Sequence, residues 1–163
     1  MWTNVSCEGS RVTVIKLISQ NLSGTLPSKL STLTWLDTLA LQENSLSGPI
    51  PSFANHTSLW FLYLDNNKFS SIPLGFFQGL TNLQVLSLSA NLNIPPWTIP
   101  TELTQATGLL RFYASETNIF GSLQDFFGSF PNLTHLRLTD NNLSGTLPQS
   151  FRGSKIQNLR LNR

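Results

Sequence analysis

One pattern, LxxLxLxxNxL, returns along almost the whole chain and leaves few folds open to it. From Val12 the sequence reads VTVIKLISQNL. Leu36 opens LDTLALQENSL, Leu59 LWFLYLDNNKF, Leu83 LQVLSLSANLN, Leu109 LLRFYASETNI and Leu133 LTHLRLTDNNL, and a shortened copy, IQNLRLNR, begins at Ile156. Successive starts lie 23 to 26 residues apart. The heptad NLSGTLP, at residues 21–27 and again at 142–148, is one slot met five units apart. A period of this length marks a stacked-repeat architecture.

Within LxxLxL the apolar residues alternate as a short strand with one buried side requires. The Asn that follows (Asn44, Asn67, Asn91, Asn141) stands where the chain leaves that strand. Its amide both donates and accepts, so it is expected to bridge backbone groups that stacking removes from water. Leaving one such group unpaired would cost roughly 1–3 kcal/mol. Prolines 27, 51, 73, 100 and 148 then fix φ along the return path. One repeat cannot bury its own Leu face, whereas a stack can. The expectation is an α/β, right-handed solenoid of about seven repeats over residues 12–163, its parallel sheet on the concave face. Residues 1–11 are left as the remnant of an N-terminal cap. Gln20 and Thr117 stand where the ladder asks for Asn, and the fourth repeat breaks its pattern at Asn93 beside NIPPWTIP.

Composition narrows the class. Hydrophobic residues make up 40% of the chain, enough for a core, while only 11% are charged. A surface made polar by Ser, Thr and Asn suits an extracellular module. A net charge of +2 without a basic run argues against nucleic acid. No apolar stretch approaches a membrane span. MWTNVSCEGS lacks the apolar region of a signal peptide, so the chain as written either stays in the cytosol or is part of something larger. A cap reduced to Trp2–Arg11 and an end inside a strand at Leu161 favour the second.

At this point the sequence resembles a known family. WTNVSCEGSRV is similar to the second half of the paired-cysteine cap of plant leucine-rich-repeat receptors, and LSGTLP and LSGPIP to their L-S-G-x-I-P repeat. From SGPIPSFANHTSLWFLYLDNNKF to GSKIQNLRLN the chain resembles the ectodomain of the transmembrane-kinase (TMK) receptor-like kinases, irregular fourth repeat included. The resemblance implies an extracellular recognition module of a Ser/Thr receptor kinase in auxin-linked growth signalling. Its partners on that view are an auxin-binding protein or a co-receptor, and it needs no cofactor. It also implies that Cys7 pairs with a cysteine upstream of this chain. The sequence has no Gly-rich loop with V-A-I-K, no H-R-D and no D-F-G, so phosphoryl transfer is not expected of it.

Positions 2, 3, 5, 7 and 8 of each repeat are expected on the concave face. Aromatic and Arg side chains are the common anchors of interfaces, which singles out Trp60, Phe61, Tyr63, Arg111, Tyr113 and Arg137, with His135 and Arg160 beside them. Trp60 and Phe61 could equally pack sideways over neighbouring repeats, and the arginines could simply be a solvated face. Five sequons, Asn4, Asn21, Asn55, Asn132 and Asn142, are candidate glycan sites if the chain is exported. His56 and His135 have no partners at metal-ligand spacing, and Asp65-Asn66-Asn67 lacks the Gly and distal Glu of a calcium loop. A stand-alone secreted binding protein, such as an inhibitor of cell-wall hydrolases, remains the alternative to a receptor fragment.

Overall fold

The computed structural model describes residues 3–162, so Trp2, assigned above to the cap, lies outside the described residues. Thirteen strands run along the described chain: β1 Val5–Glu8, β2 Arg11–Lys16, β3 Ser23–Thr25, β4 Thr38–Ala40, β5 Ser45–Pro49, β6 Phe61–Tyr63, β7 Lys68–Ser71, β8 Val85–Ser87, β9 Arg111–Tyr113, β10 Phe120–Ser122, β11 His135–Arg137, β12 Asn142–Ser144 and β13 Asn158–Arg160. Each repeat's LxxLxL contributes one short strand to the main sheet, ordered β1-β2-β4-β6-β8-β9-β11-β13. β1 pairs antiparallel with β2, and every later pairing is parallel. A second ladder follows the turn, formed by β3-β5-β7 and β10-β12. It breaks at NIPPWTIP, where a single Trp97–Ile119 bridge carries the pairing across. The return path is closed by 3-10 turns at Ser28–Thr32, Thr101–Gln105, Asp125–Ser129 and Gln149–Gly153; Pro27, Pro100 and Pro148 stand at the mouths of three of them.

Within the main sheet the parallel register is free of slips, so like positions form straight rows, whereas β5 and β7 of the second ladder shift register between Gly48 and Pro49. Leu39, Leu62, Leu86, Phe112 and Leu136 make the inner row, all fully buried. A fully buried Leu stabilises by about 1.5–3 kcal/mol. Phe112 is oversized for a Leu slot, and Ala114, two residues on, is undersized; Phe112 stacks at 6.2 Å on Phe127, which fills the space. Phe53, Phe76, Phe77 and Phe127 occupy the return side of the core, with Phe126 half-buried against them.

The exit from each strand is held by two linked devices. The residue just before the ladder Asn takes a left-handed φ of 51° to 60° in six successive repeats, at Ser19, Glu43, Asn66, Ala90, Glu116 and Asp140. That turns the Asn side chain back into the stack. Asn67 donates to the Leu41, Leu64 and Asp65 carbonyls and accepts from the Leu46 amide. Asn44, Asn91 and Asn141 make equivalent sets. Thr117, which stands in the Asn slot of the fifth repeat, reaches only the Ala114 carbonyl. There the irregular segment intervenes: Trp97 Nε1 donates to the Thr117 carbonyl, and Asn118 Nδ2 to those of Leu92 and Ile94. Both repeats without a ladder Asn carry a second left-handed residue directly after the slot, Asn21 and Asn118.

Two stability outcomes follow. Asn67→Ala orphans the buried Leu46 amide and leaves the Leu41 and Leu64 carbonyls with one carboxamide donor each, from Asn44 and Asn91, and should lower the unfolding free energy by about 1–3 kcal/mol in urea titrations. A loss below about 0.5 kcal/mol would show that water takes over the amide's role. Ala90→Gly relieves a left-handed alanine and should raise stability by about 0.5–1 kcal/mol, the relief exceeding the added chain entropy; a loss would mean that φ at Ala90 is not strained.

Candidate functional site

With the inner row committed to the core, positions 3 and 5 of each strand face away from it. One row runs Val14, Thr38, Phe61, Val85, Arg111, His135, Asn158, and the next Lys16, Ala40, Tyr63, Ser87, Tyr113, Arg137, Arg160. Bulk and charge are unevenly spread along these rows. β8 offers only Val85 and Ser87, each buried between taller neighbours on β6 and β9. A depression of about 410 Å³ opens over Ser87, Ser89 and Ser115 and is walled by Asp65, Tyr113, Arg137 and Arg160. Its floor is held by a serine ladder: the Ser115 amide donates to Ser89 Oγ and the Thr139 amide to Ser115 Oγ, both at 3.1 Å.

The eight expected binding residues do not form one site. Trp60, 46% exposed, and Phe61 lie toward the N-terminal end, in a separate groove of about 580 Å³ shared with Trp35, Asp37, Thr13 and Glu8. The Trp60 and Phe61 rings touch at 6.5 Å, so this pair both packs on itself and remains open to solvent. Tyr63 stands between the two depressions. Tyr113, Arg137 and Arg160 line the second, with Arg111 and His135 in the adjoining row.

Electrostatics differ across this face. Burial raises the Asp65 carboxyl above its ordinary value of 3.8, overcoming the Ser87 hydroxyl that donates to it, and nearby Glu43 adds to the rise. Burial also raises the Tyr63 phenol, against the pull of Arg111. His135 is held below its ordinary value, first by partial burial and then by the Arg111 and Arg137 charges. Its Nδ1 sits 2.9 Å from Thr134 Oγ1.

Several contributors escaped the repeat template. Trp35, half-exposed just before Leu36, carries the Arg11 guanidinium over its ring at 3.9 Å; an aromatic in a slot otherwise held by polar or small residues was the available signal. Asn158 accepts from Arg137 Nε at 3.2 Å. Its row position follows from the register alone. The remaining residues fall elsewhere. Cys7 is a free, exposed thiol on β1. His56 is buried edge-on against Phe53, with Nδ1 3.0 Å from the Phe53 carbonyl. Asn55 sits on the return side, where its carboxamide covers Gly79; Asn132 precedes Leu133 and donates to the Thr107 carbonyl. Asn4 lies ahead of β1, and Asn21 and Asn142 one residue past the ladder slot. Among the described residues no group of three His, Cys, Asp or Glu could hold a metal, and no helix is long and apolar enough to cross a membrane.

Other proteins share this design. The Leucine Rich Repeat family model matches residues 58–80 and 132–154. A plant ice-binding protein superposes with a TM-score of 0.83 at 27% identity over 94% of this chain and 50% of its own. The ectodomain of the Arabidopsis receptor kinase HAESA, in complex with an IDA peptide hormone, does so with a TM-score of 0.77 at 29% identity, over 94% of this chain and 25% of its own. The fold is therefore a leucine-rich-repeat solenoid with a parallel sheet, of the kind found in plant receptor ectodomains. In sequence the chain is 40% identical to Receptor-like kinase TMK2 of Arabidopsis thaliana over 97% of its length, and 47% identical to Receptor-like kinase TMK4 of the same plant over 99%. It resembles the TMK receptor-like kinases from end to end, while spanning 18% and 17% of the length of those two proteins.

Asp65 yields a pH prediction. Its folded-state value is the higher one, so its contribution to stability is complete below the ordinary carboxylate value and is lost as pH rises through the folded value. Asp65→Asn keeps an oxygen for Ser87 but has no proton to lose. As pH rises above the ordinary carboxylate value of 3.8, wild type should lose stability relative to this variant in parallel denaturant titrations. Parallel curves would show that Asp65 titrates normally.

Proposed function

We propose that this chain is a ligand-recognition portion of the extracellular part of a plant receptor-like kinase, and that it binds a peptide or protein partner on its main sheet. In this reading the chain is a right-handed stack of about seven repeats with the main sheet on the concave side. Kinase activity belongs to another part of the parent protein. The observation that carries the reading is the segregation of residue types. Tyr63, Arg111, Tyr113, His135, Arg137 and Arg160 crowd the outward rows of β6 to β13, while all five sequons fall outside those rows. A face free of glycan acceptors and rich in anchors is what a binding surface needs. The relatives support the receptor setting by name, and HAESA supports a peptide ligand by its own complex. The resemblance to the TMK kinases extends this to auxin-linked growth signalling, with an auxin-binding protein or a co-receptor as partner. On export, Asn4, Asn21, Asn55, Asn132 and Asn142 become glycan sites, and Cys7 pairs with a cysteine upstream of this chain.

The test is site-directed photo-cross-linking in apoplastic fluid, with benzoylphenylalanine at Tyr63, at Tyr113, or at Phe126 on the return side. Capture of one common partner from the two Tyr positions and not from Phe126 is expected. Tyr63→Ala combined with Arg111→Ala should weaken binding of that partner by on the order of tenfold or more. Capture from Phe126 alone would put the interface on the opposite side and overturn the reading.

A further inference from the structure

The basic residues of the main sheet are arranged against their own interest. Arg111 lies directly opposite His135 across β9–β11, and Arg137 directly opposite Arg160 across β11–β13. Like charges placed opposite one another on a sheet are destabilising, which holds outright for Arg137–Arg160 and for Arg111–His135 only when the imidazole is protonated. Among the described residues no carboxylate forms an ion pair with any of the three arginines. Glu116 and Asp140 line the same depression, past the ends of β9 and β11.

Arg137 is also held still. Its guanidinium lies over the Tyr113 ring at 4.9 Å, and its Nε donates to Asn158 Oδ1 at 3.2 Å. One face and one edge of the guanidinium are thereby occupied by the protein, and its two terminal nitrogens have no partner among the described residues. A planar fork fixed in this way is suited to bidentate capture of a carboxylate, and the ordering cost that a free Arg incurs on binding has already been met by the fold. We propose that a carboxylate of the peptide or protein partner docks on the Arg137 fork, flanked by Arg160 and by the Arg111–His135 pair. This rests on the reading that this face receives the partner, and adds the chemistry it selects. Asp65, Glu116 and Asp140, which line the same depression, then favour a neutral or basic remainder of the ligand. Tyr113 and Asn158 are positioning residues for the fork.

The chain's two histidines give the test an internal control, since His135 borders the site and His56 is buried in the core. Imidazole C–H resonances are followed by NMR while three N-acetylated peptides are added: tetraglutamate amide, tetraglutamine with a free C-terminus, and tetraglutamine amide. The expected result is that at least one carboxylate-bearing peptide shifts His135 and raises its titration midpoint, that the neutral peptide does not, and that His56 stays in place. Whichever acidic peptide acts says whether the carboxylate is a side chain or a chain end. Arg137→Gln with Arg160→Gln should weaken the effect roughly tenfold or more. Tyr113→Ala and Asn158→Ala keep every charge yet should weaken it several-fold, whereas Tyr113→Phe retains it. The proposal fails if neither acidic peptide moves His135, if the double Gln variant responds like wild type, or if Tyr113→Ala and Asn158→Ala bind undiminished. A face that cross-links a partner but ignores both acidic peptides sinks the carboxylate site alone; a face that does neither sinks the binding reading with it.

Discussion

Everything in this molecule depends on what happens to backbone polar groups where each strand ends. A parallel stack with a rise of one strand per repeat puts the next turn's carbonyls and amides beneath those of the last, out of reach of water. A single carboxamide per repeat answers several of them at once. The answer requires the chain to present that side chain inward, and the left-handed residue before it does so at a strain of about 1–2 kcal/mol where it is Ser, Glu or Ala and less where it is Asn66 or Asp140. Strain and ladder are therefore one device: the amide's hydrogen bonds exceed the cost of the conformation that aims it. The fifth repeat shows the constraint from the other side. With Thr117 unable to span two turns, the chain needs another donor at the same level, and the long fourth-repeat segment delivers Trp97 and works with Asn118 to supply it. The irregularity of NIPPWTIP and the loss of Asn in the next repeat are thus two halves of one substitution.

Much of this was legible because a main sheet without register slips turns sequence position into spatial position. Once Leu39 and Leu62 are assigned to the core, Ala40 and Tyr63 must face the other way and must be neighbours. The strand rows, the buried phenylalanines and the row membership of Arg111, Tyr113, His135 and Arg137 all follow from the period. Illegible were the properties that depend on differences between adjacent repeats. That Trp60 parts from Tyr113 to line another groove follows from β8 having only Val85 and Ser87 to place between them. That Arg137 is fixed by Tyr113 and Asn158 needs side-chain geometry from three strands. The partial burial of Asp65, whose slot in the preceding repeat holds Gln42, needs it too.

The likeness to both a peptide-bound receptor ectodomain and an ice-binding protein shows how little the solenoid itself says about use. In each repeat the inner row and the ladder slot are spent on stacking, and they alone are what the fold detects. Recognition is left to the outward positions, where neighbours interact only across one strand spacing. Such a surface can be rewritten repeat by repeat without disturbing the core, so its composition records function in a way the architecture cannot.

That separation gives departures from it their meaning. Outward positions should be cheap: small, neutral or complementary across the ladder. Arg137 against Arg160 is none of these. Asp65 is a second departure, a half-buried carboxylate at an outward position where serine or threonine serves in later repeats. Both lie on the wall of one depression, and neither helps the stack stand. A solenoid whose repeats are stabilised independently can carry a few such costs locally, which is where an outside partner makes up the difference. On the proposed reading of this face, its unfavourable residues, more than its favourable ones, mark where a partner docks.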